Sequence, residues 1–79
     1  MTLTVYSQPN CVFCDRAKAL IESKGLFYIS VDITKDDEAR SFLIEQGLRS
    51  VPQIYNDSKL IEGGYTGLLA QPDSFWEKL

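Results

Sequence analysis

The first 33 residues switch from one hydrophobic period to another and back, which limits the topology more than any other feature of the chain. Residues 2–6 set Leu3 and Val5 between Thr2, Thr4 and Tyr6, the two-residue period of a strand rich in β-branched side chains. Ser7-Gln8-Pro9-Asn10 is turn chemistry. Val12, Phe13, Ala17, Leu20 and Ile21 then recur at helical spacing. Asn10 is a candidate N-cap, Asp15 sits in the first turns, and Lys24-Gly25 supplies a terminal cation and a stop, so a helix is predicted over 11–24. The run from Leu26 to Ile33 predicts a second strand, apolar enough to be largely buried. A strand-helix-strand unit of this length closes by a right-handed crossover, with its two strands parallel.

The rest of the chain adds a second helix and a hairpin. Thr34-Lys35-Asp36-Asp37 resembles a capping box with a shortened acid, followed by Ala39, Phe42 and Leu43 on one face and ended by Gly47. Ser50-Val51-Pro52-Gln53 leads into a short strand at Ile54-Tyr55. Asn56-Asp57-Ser58 turns the chain into a partner strand over Lys59–Glu62. Gly63-Gly64 breaks the sheet, a third helix starts at Tyr65 and runs to Gln71, and Pro72 interrupts it or restarts it as an N1 residue. Phe75, Trp76 and Leu79 are expected to close the core. The predicted order is β-α-β-α-β-β-α: an α/β fold with a mixed four-stranded sheet flanked by three helices.

Seventy-nine residues form one domain, 1–79, with no repeats or linkers. A chain this short buries only about 60–65% of its unfolded surface, so every element has to share one core. Eight Lys and Arg against eleven Asp and Glu leave a net charge of −3, which disfavours nucleic acid and anionic membrane surfaces as partners. No basic n-region with a long apolar stretch opens the chain, and no apolar run approaches the roughly 20 residues of a membrane span; a cytoplasmic working place is expected. There is no histidine, which removes imidazole general-base catalysis and every His-ligated metal site. Thiols, carboxylates and backbone are left to do the chemistry.

The two cysteines form Cys11-Val12-Phe13-Cys14 at the start of the first predicted helix. Residues i and i+3 share a helix face, so the two sulfurs can come within bonding distance. At that end of a helix, unpaired N–H groups and the positive dipole end favour a thiolate, and Arg16 and Lys18 add positive potential nearby. A thiolate at Cys11 attacks disulfides, and a thiol at Cys14 can resolve the mixed disulfide. Three other readings of the spacing stand beside this one: half of a zinc site completed by a second chain, a structural disulfide closing a very small loop, and two inert core cysteines. Two further signals follow downstream. Val51-Pro52 allows a cis peptide, although the same proline could simply start a strand. Gly63-Gly64 is either a tight turn or a place where a backbone approaches a ligand, with helix N–H groups offered to a carboxylate.

Taken together, Tyr6-Ser7-Gln8-Pro9-Asn10-Cys11-Val12-Phe13-Cys14, Arg49-Ser50-Val51-Pro52-Gln53-Ile54-Tyr55 and Ile61-Glu62-Gly63-Gly64-Tyr65 resemble the three signature segments of the glutaredoxins, in order and over essentially the whole chain. The resemblance implies a thioredoxin-like fold with a cis proline at Pro52. It implies a monomeric thiol-disulfide oxidoreductase with no tightly bound cofactor and no metal, with glutathione as co-substrate. Disulfide-containing proteins or glutathione mixed disulfides would be the substrates, ribonucleotide reductase among the candidates. Cys11 and Cys14 take the catalytic roles. Glutathione is expected along Phe13, Val51, Pro52, Gly64, Tyr65 and Thr66, paired through the backbone of Val51, with Gln8 and Arg49 near its carboxylate.

Some residues depart from the family pattern. Gln8 stands where the family often has Lys, Val12-Phe13 where it commonly has Pro-Tyr, and Thr66-Gly67 leave no carboxylate for the glutathione amino group. Arg49 is expected to supply the missing cation, and the changes Gln8→Lys and Gly67→Asp to restore the lost charges. Two other readings remain. One is a redoxin of ribonucleotide reductase recharged by thioredoxin reductase, whose Ser-Gly-Phe-Arg-Pro segment is absent here. The other is an iron–sulfur carrier holding its cluster through Cys11 and glutathione.

Overall fold

A computed structural model describes residues 2–79. Strand β1 (Leu3–Ser7) lies at the centre of a four-stranded sheet ordered β2-β1-β3-β4. Helix α1 (Val12–Ser23) carries the chain to β2 (Tyr28–Asp32), which pairs parallel with β1 from Leu3↔Tyr28 to Ser7↔Asp32. After α2 (Asp37–Glu45), strand β3 (Gln53–Asn56) pairs antiparallel with the other side of β1, and β4 (Lys59–Ile61) completes the hairpin. Two short helices follow, α3 (Gly64–Leu69) and α4 (Asp73–Glu77). This is the thioredoxin-like fold the sequence predicts, with the final helix divided. Pro72 caps α4 from an extended conformation (φ −71°, ψ 164°) instead of occupying its first turn, so the chain restarts there as a separate helix.

Alternation along the strands sorts the side chains into two layers. Leu3 and Val5 of β1, Ile54 of β3 and Ile61 of β4 meet Ala17 and Ile21 of α1 and Leu68 of α3 in one buried cluster. Phe75, Trp76 and Leu79 are packed against it but only half-buried, so they extend the core at its margin. On the opposite face Phe42 of α2 stacks on Tyr6 (5.9 Å between centroids) and Tyr55 (5.4 Å), with Tyr6 edge-on to Tyr55.

That opposite layer is narrow, and it corrects the expectation for residues 26–33. Strand β2 is an edge strand, Ile29 is 52% exposed, and Phe27 precedes the strand at 95%. The Phe42 ring of α2 meets Tyr6 of β1 and Tyr55 of β3, while Ile29 and Ser30 of β2 stay exposed. Apolar composition is therefore no guide to burial at this edge. Both early caps also shift. Cys11 caps α1, while Asn10 takes a left-handed conformation (φ 60°) in the turn before it. Asp36 caps α2 by accepting the Ala39 N–H (3.0 Å). Thr34 belongs to a preceding turn, where Asp32 accepts both its N–H (2.8 Å) and its hydroxyl (2.6 Å). Those bonds hold the exposed Asp32 carboxyl below the usual carboxylate range. Its contribution to the turn is present at neutral pH and fades as pH falls through that lowered value.

Urea unfolding separates the covered and uncovered layers. Ile21→Ala, in the buried cluster, should cost about 2–5 kcal/mol, whereas Phe27→Ser should stay within about 0.5 kcal/mol of the parent. A loss at Phe27 as large as that at Ile21 would contradict the layer assignment.

Candidate functional site

The site is built where β1 hands over to α1. The turn Gln8-Pro9-Asn10 leads into Cys11, whose extended backbone (φ −112°, ψ 104°) makes it the N-cap of α1 and whose Sγ accepts the Cys14 N–H at 3.2 Å. Cys11 and Cys14 are joined as a disulfide with Cα atoms 5.2 Å apart. Their surroundings differ. Cys14 is fully buried on the inner face of α1, while Cys11 is partly exposed at the helix end. An incoming thiol or disulfide reaches Cys11 first, which gives the two sulfurs distinct roles. Val12 and Phe13 between them point outward, Phe13 with 54% of its surface exposed. The Arg16 guanidinium lies over the Phe13 ring, 5.4 Å from its centroid, one turn from Cys11. Lys18 is less committed to the cysteines, since its charge also acts on Asp32.

Beside the cysteines lies an open cavity of about 540 Å³, whose lining includes Phe13, Val51, Pro52, Gly64, Tyr65 and Thr66. Six of the eight residues predicted to hold glutathione thus face one hollow. The Phe13 and Tyr65 rings stand 6.0 Å apart at its side. The Val51-Pro52 peptide is cis. Gly64 (φ 59°) lies so close to this loop that a Cβ there would stand 2.9 Å from the Pro52 carbonyl oxygen, so glycine is required where α3 meets the proline.

The remaining two predicted residues, Gln8 and Arg49, lie together in an adjoining hollow of about 510 Å³, along with Arg40. Leu48 and Ser50 line both hollows and join them. Gly67 removes one expected option. A Cβ at that position would collide with the Glu62 carbonyl, so Gly67→Asp cannot add an acid without displacing α3.

Three residues escaped the sequence reading. Gln53 is buried and donates from Nε2 to the Ser50 carbonyl (2.9 Å) and the Ser50 hydroxyl (3.2 Å), bracing the loop that carries Val51 and Pro52. An amide at the first position of a short strand just after a proline is the signal that could have found it. Arg40 reaches the second hollow from α2, and Glu62 lines the first from the end of the hairpin. Both lie far from the cysteines in sequence and look like ordinary surface charges. No group of three or more His, Cys, Asp or Glu that could hold a metal gathers among the described residues.

A buried thiol paired with an accessible one at a helix N-cap, facing a proline loop on this sheet, defines a thioredoxin-fold thiol-disulfide oxidoreductase. The glutaredoxin family model matches residues 3–61, and the chain belongs to the glutaredoxin family. A probable glutaredoxin of Synechocystis sp. is 39% identical over 61 residues, covering 75% of this chain and 56% of that protein. Glutaredoxin 3 of Escherichia coli is 37% identical over 60 residues, covering 75% and 72%. The chain therefore spans little more than half of the first of these relatives and most of the second.

Among solved structures, glutaredoxin from Brucella melitensis superposes with a TM-score of 0.74 at 32% identity, over 94% of this chain and 80% of that one. A buckwheat glutaredoxin–glutathione complex gives 0.72 at 27%, over 85% and 64%. NrdH-redoxin from E. coli, a glutaredoxin-like protein with a thioredoxin-like activity profile, gives 0.77 at 24%, over 91% and 97%, a likeness of fold.

The N-cap geometry predicts that Cys11, in reduced protein, ionises below the range of a free cysteine, because the Cys14 N–H and the positive end of α1 stabilise its thiolate. Thiolate absorbance against pH in Cys14→Ser measures this. A midpoint at or above about 8.5, the free value, would refute it.

Proposed function

We propose that the protein is a glutathione-dependent dithiol oxidoreductase that reduces protein disulfides and glutathione mixed disulfides. The observation that carries this reading is the cavity at the start of α1, lined by Phe13, Val51, Pro52, Tyr65 and Thr66, with Phe13 lying between the two cysteines in the chain. A tripeptide thiol fits it chemically. The Val51 backbone pairs with the peptide, the rings flank its cysteinyl portion, and a terminal carboxylate turns toward the Gln8, Arg40 and Arg49 hollow. Arg40 together with Arg49 replaces the cation absent at position 8. The buckwheat relative was solved as a complex with glutathione, which supports glutathione as the thiol peptide.

The reaction runs in balanced exchanges. The Cys11 thiolate attacks one sulfur of the substrate disulfide, forming a mixed disulfide and releasing the other sulfur as a thiolate that takes up a proton. The Cys14 thiol loses its proton and attacks Cys11 Sγ, releasing the second substrate thiol and leaving the Cys11–Cys14 disulfide seen here. One glutathione thiolate then attacks Cys11 Sγ and frees Cys14. A second attacks the glutathione sulfur, giving oxidised glutathione and the Cys11 thiolate. Proteins with accessible disulfides are the partners, ribonucleotide reductase among the candidates. The protein acts as a monomer in a reducing cytoplasm, where such a dithiol is kept charged. No helix among the described residues is long and apolar enough to cross a membrane.

Turnover of a glutathione mixed disulfide tests the reading, with electrons supplied either by glutathione and glutathione reductase or by thioredoxin reductase. The first system should sustain turnover and the second should not; the reverse overturns the proposal in favour of a thioredoxin-reductase-fed redoxin. Cys11→Ser should abolish all turnover. Cys14→Ser should keep reduction of glutathione mixed disulfides, because glutathione itself resolves that intermediate, and lose reduction of protein disulfides. Equal loss of both activities in Cys14→Ser would contradict the roles assigned.

The second hollow has its own test. Arg49→Ala should raise the Michaelis constant for glutathione up to about fivefold, the range of one solvent-exposed ion pair, and Gln8→Lys should lower it. An unchanged constant in both variants would remove the carboxylate from that hollow.

A further inference from the structure

Two of the contacts proposed for the peptide stand almost side by side in the chain. Val51 lines the first hollow, Arg49 lines the second, and Ser50 between them lines both. All three lie between α2 and β3, outside any helix or strand. A loop holds a binding contact in one place only when a rigid element braces it.

Gln53 supplies that brace. Its backbone is set in the sheet opposite Tyr6 of β1, and its side chain is buried. From there Nε2 reaches back three residues and donates to the Ser50 carbonyl oxygen (2.9 Å) and the Ser50 hydroxyl (3.2 Å). A primary amide carries two N–H groups on one nitrogen, so both bonds can be made at once. On the far side of Val51 the Pro52 carbonyl oxygen closes against Gly64, where a Cβ would stand only 2.9 Å away. Val51 is thus held between two fixed neighbours, and Arg49 adjoins the braced one.

We infer that Gln53 is a positioning residue for the bound thiol peptide: through Ser50, its amide fixes the spacing between Val51 in one hollow and Arg49 in the other. The inference rests on the glutathione reading and deepens it. With both amide hydrogens committed to Ser50, Gln53 acts through that residue. A small thiol that spans neither hollow draws nothing from the spacing. The amide therefore governs how well glutathione is used and leaves the reactivity of Cys11 itself alone.

The test compares the rates at which glutathione and 2-mercaptoethanol reduce the Cys11–Cys14 disulfide of the full chain, each thiol below saturation, read by mass spectrometry after quenching. The readout is the ratio of the two rates, which a general loss of stability would not move. Wild type should favour glutathione. Gln53→Met, similar in length but without a donor, should lower the ratio roughly two- to tenfold, the worth of one neutral hydrogen bond. Ser50→Ala, at an exposed position, removes one of the two acceptors and should lower it by about twofold. In the Gln53→Met background Ser50→Ala should add nothing, because the hydroxyl has no donor left to meet. A wild-type ratio in either single variant, or a full effect of Ser50→Ala in the Gln53→Met background, overturns the role of Gln53 while the glutathione reading stands. A wild-type protein reduced no faster by glutathione than by 2-mercaptoethanol overturns the glutathione reading and this inference with it.

Discussion

Everything at the site depends on one hydrophobic contact layer, in which Ala17 and Ile21 of α1 and Leu68 of α3 press together onto Leu3, Val5, Ile54 and Ile61. The cysteines sit at the start of α1 and the glycine pair at the start of α3, so the layer that joins these helices to one sheet face also fixes the reactive sulfur relative to its cavity. A small domain has few other means of holding two loops in register. Cys14 is fully buried on the α1 face that carries Ala17 and Ile21, while Cys11 is partly exposed at the helix end. One core thus sets the division of labour between the sulfurs by access as well as by the helix end.

On that frame two hollows adjoin. Phe13, next to Cys14 in the chain, lines one hollow with Val51 and Tyr65, and Arg40 and Arg49 line the second, which shares Leu48 and Ser50 with the first. The chain's net charge of −3 would slow the approach of an anionic peptide, which makes the local arginines more important than the overall field.

The fold was legible because its signals are local. The β1 alternation, the helical spacing of Ala17 and Ile21 and the Lys24-Gly25 stop each follow from near neighbours in sequence, and the parallel pairing of β1 with β2 follows from them. The cysteine pair and the Val51-Pro52 and Gly63-Gly64 segments likewise carry their meaning in a few adjacent residues. What failed depends on distant packing. The burial of β2 is decided by how far α2 extends over the sheet, which Ile29 and Phe27 cannot encode. That Arg40 lines the second hollow depends on where α2 meets the segment before Pro52. The cap of α1 moved from Asn10 to Cys11 by one residue, a shift that the turn conformation of Asn10 sets.

The central claim is that a thiol peptide bound along Val51 meets Cys11. The most direct measurement is the structure in solution of Cys14→Ser carrying one glutathione on Cys11, with intermolecular proton contacts located by isotope-filtered nuclear magnetic resonance. The account predicts contacts from the peptide to Phe13, Val51 and Tyr65. A glutathione that is attached to Cys11 but contacts none of these, lying instead over Val12 or free in solvent, would contradict it.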